Sequence, residues 1–155
     1  MERRLAHMMR IYLVRHGDAV SDQVNARRPL SPEGRRQVER VAEKARQAGA
    51  SPRHIFHSPK LRARETAEIL ARGLFPNAPC EDLRAIAGIA PDDDPASAAE
   101  LAEVMVEDFM IVGHLPHLPR LVGLLAGQSM SFSTATMVCL ERLDRGWTIR
   151  WIATP

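Results

Sequence analysis

Two apolar runs, each closed by a glycine next to a histidine, constrain this chain more than any other feature. The first, Met9-Arg-Ile-Tyr-Leu-Val14, leads into Arg15-His16-Gly17; the second is Asp108-Phe-Met-Ile-Val-Gly-His114. Both are shorter than a stable helix, and glycine punctuates each, so they are expected to be strands. The second, apolar throughout, suits a central strand of a parallel sheet, covered on both faces. Ligands of open α/β sheets bind at the carboxyl ends of the strands, which is where Arg15, His16 and His114 would emerge. A guanidinium beside an imidazole suits an anion under nucleophilic attack. Arginine grips such oxygens through a bidentate fork, and its charge favours the unprotonated, nucleophilic form of the histidine. Taken alone, the tripeptide fits a surface arginine and a satisfied loop histidine equally well.

Between the two runs the pattern alternates. Residues 18–30 are polar and aperiodic, a functional loop. Ser31-Pro32-Glu33 then starts a helix with a serine cap, proline at the first position and an acid in the first turn. Val38, Val41, Ala42 and Ala45 form its buried face, and Gly49 stops it. A short strand, His54 to His57, is followed by Ser58-Pro59, which resembles the earlier helix start. Ala63, Ala67, Leu70 and Leu74 give that helix an inward stripe, and Arg62 falls in its first turn. There the free N–H groups and the positive dipole end would face the same sheet edge as His16. A short strand is expected near 80–83, an acidic bend at 91–95 and a third helix through Ala98, Leu101, Ala102 and Met105. Leu118, Leu121, Val122 and Leu125 supply a fourth, closed by Gly127. Apolar residues 135–143 and 147–152, joined by a tight turn, make an antiparallel hairpin. The expected fold is a three-layer α/β/α sandwich with a mostly parallel central sheet and an antiparallel C-terminal edge hairpin.

With 155 residues and a formal charge of +2, the chain is expected to form one domain over 9–155, preceded by a flexible lead-in over 1–8. The basic residues are mostly arginines spread along the chain with few aromatics between them, which argues against a nucleic-acid surface. Cys80 and Cys139 are too few and too isolated for a disulfide framework or a zinc site, and are expected to be small core residues in a reducing compartment. No run reaches membrane-spanning length, and no apolar segment follows the basic N-terminal residues, so a cytoplasmic location is expected.

Arg15-His16-Gly17, then Ser58-Pro-Lys-Leu-Arg62-Ala-Arg-Glu-Thr66-Ala67, then Gly113-His114 resemble, in order, the three signatures of the histidine phosphatase superfamily, the phosphoglycerate-mutase-like enzymes. The finer pattern resembles the small SixA-type phosphohistidine phosphatases: Arg-His-Gly-Asp-Ala at 15–19, Arg28-Pro-Leu-Ser-Pro-Glu-Gly34, Gly-His-Leu-Pro at 113–116 and Phe132-Ser-Thr134. The resemblance implies that His16 takes up the phosphoryl group, Arg15 and Arg62 clamp its oxygens and His114 completes a cationic pocket, with no metal and no cofactor. Arg28 matches a position of the resembling group and could reach the phosphate from its loop, or could be solvated like Arg27. Thr66, one turn from Arg62, could hold that arginine or simply face the core.

The resemblance leaves the leaving-group acid unassigned. Glu81, Asp82 and Asp92 to Asp94 are the candidates, each also explicable as a solvated loop charge. His54 and His57 are expected at the surface or at strand ends. His117 suggests a metal site with His16 and His114, but Pro116 disrupts the helical spacing and the arginines would repel a cation. The first expectation is therefore a metal-independent phosphatase acting on a phosphohistidine carried by a partner protein. The alternatives are a phosphomonoesterase on a small metabolite and a non-catalytic phosphate-binding module.

Overall fold

The computed structural model describes residues 8–155. Six strands form one sheet: β1 (Arg10–Arg15), β2 (His54–His57), β3 (Asp82–Ala85), β4 (Phe109–Gly113), β5 (Met137–Arg142) and β6 (Trp147–Ala153). Four helices connect them: α1 (Pro32–Gln47), α2 (Leu61–Leu74), α3 (Ala96–Val104) and α4 (His117–Ala126). The strand order is β3-β2-β4-β1-β5-β6. The first four are mutually parallel, while β5 runs antiparallel to β1 and pairs with β6 as an edge hairpin.

Side chains of a strand alternate between faces, and that alternation builds two cores. Tyr12 and Val14 of β1, with Met110 and Val112 of β4, pack against Val38, Val41, Ala42 and Ala45 of α1 and Ala63, Ala67 and Leu70 of α2. Ile11, Leu13, Phe109 and Ile111 face the other way, onto Ala98 and Ala102 of α3 and Leu118, Leu121, Val122 and Leu125 of α4. The helical stripes expected from spacing are therefore the buried faces. Leu101 and Met105 are only partly buried, because α3 ends at Val104 and the chain turns out at Met105. Cys139 is in the core, whereas Cys80 is half-buried at its margin; both are free thiols. Among the described residues no helix is long and apolar enough to cross a membrane. Of the expected lead-in, residues 1–7 lie outside the described residues; Met8 is exposed and Met9 buried.

The N-terminus of α1 is built as expected, with Ser31 Oγ accepting the Gly34 N–H at 2.9 Å and Pro32 at the first position. This end of α1 presses on the Arg-His-Gly turn. A Cβ on Gly17 would come within 2.8 Å of Gly34 O and Val38 Cγ2, and a Cβ on Gly34 would collide with the Asp18 carbonyl oxygen. Both glycines are required by close backbone approach. Gly34→Ala is expected to destabilise the fold by about 1–3 kcal/mol, the usual cost of overpacking. Urea denaturation monitored by circular dichroism checks this; an unchanged midpoint would contradict the tight packing of α1 on the turn.

Candidate active site

The register of the sheet decides what meets at its carboxyl edge. Arg15 of β1 pairs with Gly113 of β4, so the next residues, His16 and His114, emerge side by side. Their ring centroids are 5.1 Å apart in an edge-on arrangement. On the other flank of β4, His57 pairs with Val112, and Ser58 N–H bonds Val112 O at 3.1 Å. Thus His114 sits at the end of the central strand between His16 and Ser58. The backbone around the turn is pinned further: His16 N–H donates to Gly113 O, Ala135 N–H to His16 O, and Gly17 N–H to Thr66 Oγ1 at 3.1 Å.

The structure brings together all five residues singled out from the sequence. Arg62 Nε lies 3.3 Å from His16 Nε2. Arg15 directs one guanidinium nitrogen to the Phe132 carbonyl at 2.9 Å, while its buried Nε has no hydrogen-bond partner among the described residues. Arg28 is half-buried, not solvated like the exposed Arg27. Its Nε donates to Val20 O at 3.0 Å, and its charge acts on both His16 and Arg62. Its φ of +50° places it in the left-handed region, in a loop closed by the Ala19–Leu30 bridge and tied to α2 where Leu30 N–H donates to Glu65 Oε1 at 2.8 Å. His114 is buried, with Nε2 at 2.7 Å from Ser58 Oγ and Nδ1 without a hydrogen-bond partner among the described residues. Two buried, unpaired nitrogens beside the paired imidazoles give the site unused capacity for an oxyanion.

Electrostatics fix the histidine states. His16 Nδ1–H donates to Gly17 O at 2.7 Å, so in the neutral ring the lone pair is on Nε2. The His16 pKa is pushed down to about 4, first by burial and then by Arg62, Arg15 and Arg28, against the Gly17 bond. Proximity to arginine alone suggested that direction, but burial is the larger cause. His114 is pushed down to about 3, again chiefly by burial, with His16, Arg62 and Lys60 adding. His54, by contrast, is raised: burial lowers it, but Asp82 at 2.7 Å and Glu107 at 3.1 Å outweigh that. In a histidine-resolved NMR titration from pH 8 to 5, His16 and His114 are expected to stay neutral while His54 titrates. A His16 midpoint near the ordinary 6.5 would contradict the buried cup. At His16 the unfolded state binds more protons than the folded one between about pH 6.5 and about 4, so this residue's contribution to stability is lost as pH falls through that window, while the raised His54 acts in the opposite direction.

Three local readings change. Ser58 does not cap α2, which starts at Leu61 with Lys60 as its uncapped N-cap; its hydroxyl accepts Lys60 N–H at 3.2 Å and contacts His114 instead. His57 is a strand-end residue but not a surface one, being buried with Nδ1–H donating to Ser58 O at 2.8 Å. Thr66 serves both of its expected roles, since it is buried and its hydroxyl donates to Arg62 O at 2.8 Å. Its added bond to Gly17 N–H ties α2 to the β1 turn, a link no local pattern announces. Among the acids, Glu81 and Asp82 fall at the opposite end of the sheet, where Asp82 pairs with the first residue of β2. Asp93 and Asp94 accept the backbone N–H groups of Ala90 and Ala96 within their own loop. Asp92 is exposed. His117 is buried and opens α4 directly after Pro116. A surface groove of about 560 Å³, lined by residues such as Arg72, Phe75 and Cys80, lies near the C-terminal end of α2, away from these histidines.

The sequence pattern of the Histidine phosphatase superfamily (branch 1) matches residues 11–89. The chain belongs to that superfamily. The same architecture occurs in the protein histidine phosphatase SixA solved with tungstate, which is 26% identical, has a TM-score of 0.80, and aligns over 95% of this chain and 97% of that one. The chain thus resembles the SixA type over nearly its whole length. A phosphoserine phosphatase from Entamoeba histolytica, solved with 3-phosphoglyceric acid, shares the superfamily fold at a TM-score of 0.68 and 15% identity, over 96% of this chain and 98% of that one. Among curated relatives, the Probable phosphoglycerate mutase GpmB of Cronobacter sakazakii is 40% identical over 74 residues, 43% of this chain and 32% of that protein. This chain thus matches only about a third of the length of that relative.

Proposed function

We propose that residues 9–155 form one phosphatase domain in which His16 accepts the phosphoryl group, without a metal or cofactor, from a phosphohistidine borne by a partner protein. The observation that carries this is the orientation of the His16 ring. Its Nδ1–H is held by Gly17 O, and its Nε2 lone pair faces a cluster of guanidinium groups. His16 Nε2 attacks phosphorus in line, the phosphorus–nitrogen bond to the substrate imidazole breaks, and the departing imidazole takes up a proton from solvent. Water then attacks the phosphorylated His16, breaking the phosphorus–nitrogen bond, returning a proton to solvent, releasing inorganic phosphate and restoring the lone pair. Arg15, Arg62 and Arg28 neutralise the equatorial oxygens, which is most of what a protein must do in phosphoryl transfer. Arg62 Nε contacts His16 Nε2 in the structure, so it must transfer its N–H to a phosphoryl oxygen before attack.

Two features support phosphohistidine over a phosphoester. The acids weighed as proton donors are at the far end of the sheet, exposed or engaged in their own loop. A phosphoramidate leaving group needs less protonation than an alkoxide. The SixA protein, alike along nearly the whole chain, is itself a protein histidine phosphatase. The second reading, a small phosphoester as substrate, draws on the partial likeness to the phosphoglycerate-mutase relatives. Side-by-side assays on a phosphohistidine-bearing protein and a panel of sugar and nucleotide monophosphates separate the two. The expected result is a kcat/KM for the phosphohistidine protein above that for every ester. A faster ester would overturn the substrate assignment and leave the chemistry in place.

A further inference from the structure

We infer that Ser58 is a positioning residue for phosphoryl transfer: its hydroxyl donates to His114 Nε2, fixing the tautomer in which His114 carries its proton on Nδ1 and offers that N–H to a phosphoryl oxygen. The role in transfer rests on the reading of the site given above. The tautomer itself does not.

The assignment comes from counting donors and acceptors at a buried hydroxyl. Ser58 is fully buried, and among the described residues its Oγ has two hydrogen-bond partners, Lys60 N at 3.2 Å and His114 Nε2 at 2.7 Å. A backbone N–H can only donate, so Lys60 occupies one of the two Oγ lone pairs. The hydroxyl has a single hydrogen, and among these neighbours the unprotonated Nε2 of His114 is the one acceptor for it. The opposite arrangement, Nε2–H pointing at Oγ, would leave that hydrogen unpaired in a buried place. It would also leave the Nδ1 lone pair buried and without a partner among the described residues, so that two groups are unmet where the assigned tautomer leaves one.

His16 and His114 thereby become a complementary pair. Gly17 O takes the Nδ1 proton of His16 and leaves a lone pair on Nε2 for attack. Ser58 satisfies Nε2 of His114 and leaves a donor on Nδ1. Both rings are held neutral by burial, so each tautomer is set by the partner on its other nitrogen. The sheet register places that partner: β2 pairs with β4 so that Ser58 is locked, through its N–H to Val112 O, beside the strand end carrying His114.

Long-range proton–nitrogen correlation spectra of the ¹⁵N-histidine-labelled protein, with and without inorganic phosphate, read the tautomer without any turnover. The wild type is expected to show His114 protonated on Nδ1, with that nitrogen shifting on phosphate addition. Ser58→Ala is expected to lose the tautomer preference and to lower kcat on a phosphohistidine-bearing protein by about 10- to 100-fold, the usual effect of removing a group that orients a site imidazole. Ser58→Thr, which keeps the hydroxyl, should restore both. A wild-type His114 protonated on Nε2 would overturn the inference, as would Ser58→Ala with tautomer and kcat unchanged. Either result could coexist with a phosphorylated His16, so failure here is distinct from failure of the phosphatase reading.

Discussion

His16→Ala is expected to lower phosphatase turnover by about 10⁴-fold or more, because loss of a nucleophile removes the covalent route and leaves only binding and charge neutralisation. The fold should tolerate the change. The His16 side chain bonds its own neighbour, Gly17 O, while the strand and loop contacts at that position are made by backbone N–H and C=O. His16→Asn is the sharper variant, since its amide N–H can replace Nδ1–H on Gly17 O but supplies no lone pair where Nε2 stood. Both variants should show wild-type circular dichroism and thermal midpoints within a few degrees, with turnover near background. Substantial turnover by His16→Asn would mean that phosphate leaves by direct attack of water.

Arg62→Ala is expected to lower kcat/KM by about 10²- to 10³-fold, the range found when one preorganised donor is removed from a developing oxyanion. Its guanidinium contacts His16 Nε2, and its charge acts on both site histidines, so it is placed for the phosphoryl oxygens in a way no neighbour duplicates. Removing that positive charge also lets the His16 pKa rise from about 4, though not to its ordinary value, because burial remains the larger cause. Arg62→Lys keeps a charge but loses the planar fork and should fall between the two. A pH series of kcat/KM on the three proteins checks this. An Arg62→Ala loss of less than about threefold would remove Arg62 from the oxyanion cradle.

How far such expectations could be drawn from sequence differs along the chain. The helical stripes on α1, α2 and α4 were legible because each packs on one face of a sheet, and a 3.6-residue period records that directly. The strands were legible within about two residues, β3 shifting from 80–83 to Asp82–Ala85. The order of the sheet was not, since nothing local says that β4 inserts between β2 and β1; that is a property of long-range pairing. The convergence of Arg15, His16, Arg62 and His114 was readable because each terminates a strand or opens a helix at one edge. Ser58 was misjudged because Ser-Pro ahead of an apolar stripe is also a helix-start signal, and only the β2–β4 register shows that its hydroxyl meets an imidazole. The hold on Arg15 was invisible for a simpler reason: it is the carbonyl of Phe132, and a backbone group leaves no trace in residue identity.

Where phosphate resides during turnover decides whether His16 is the nucleophile. Protein labelled from a ³²P-phosphohistidine donor, quenched in alkali and mapped by proteolysis, answers this, because phosphoramidates survive base and are lost in acid. The expected result is alkali-stable, acid-labile label on the peptide containing His16, absent from His16→Asn. Steady turnover with label on another residue, or with none accumulating under single-turnover conditions, would contradict it.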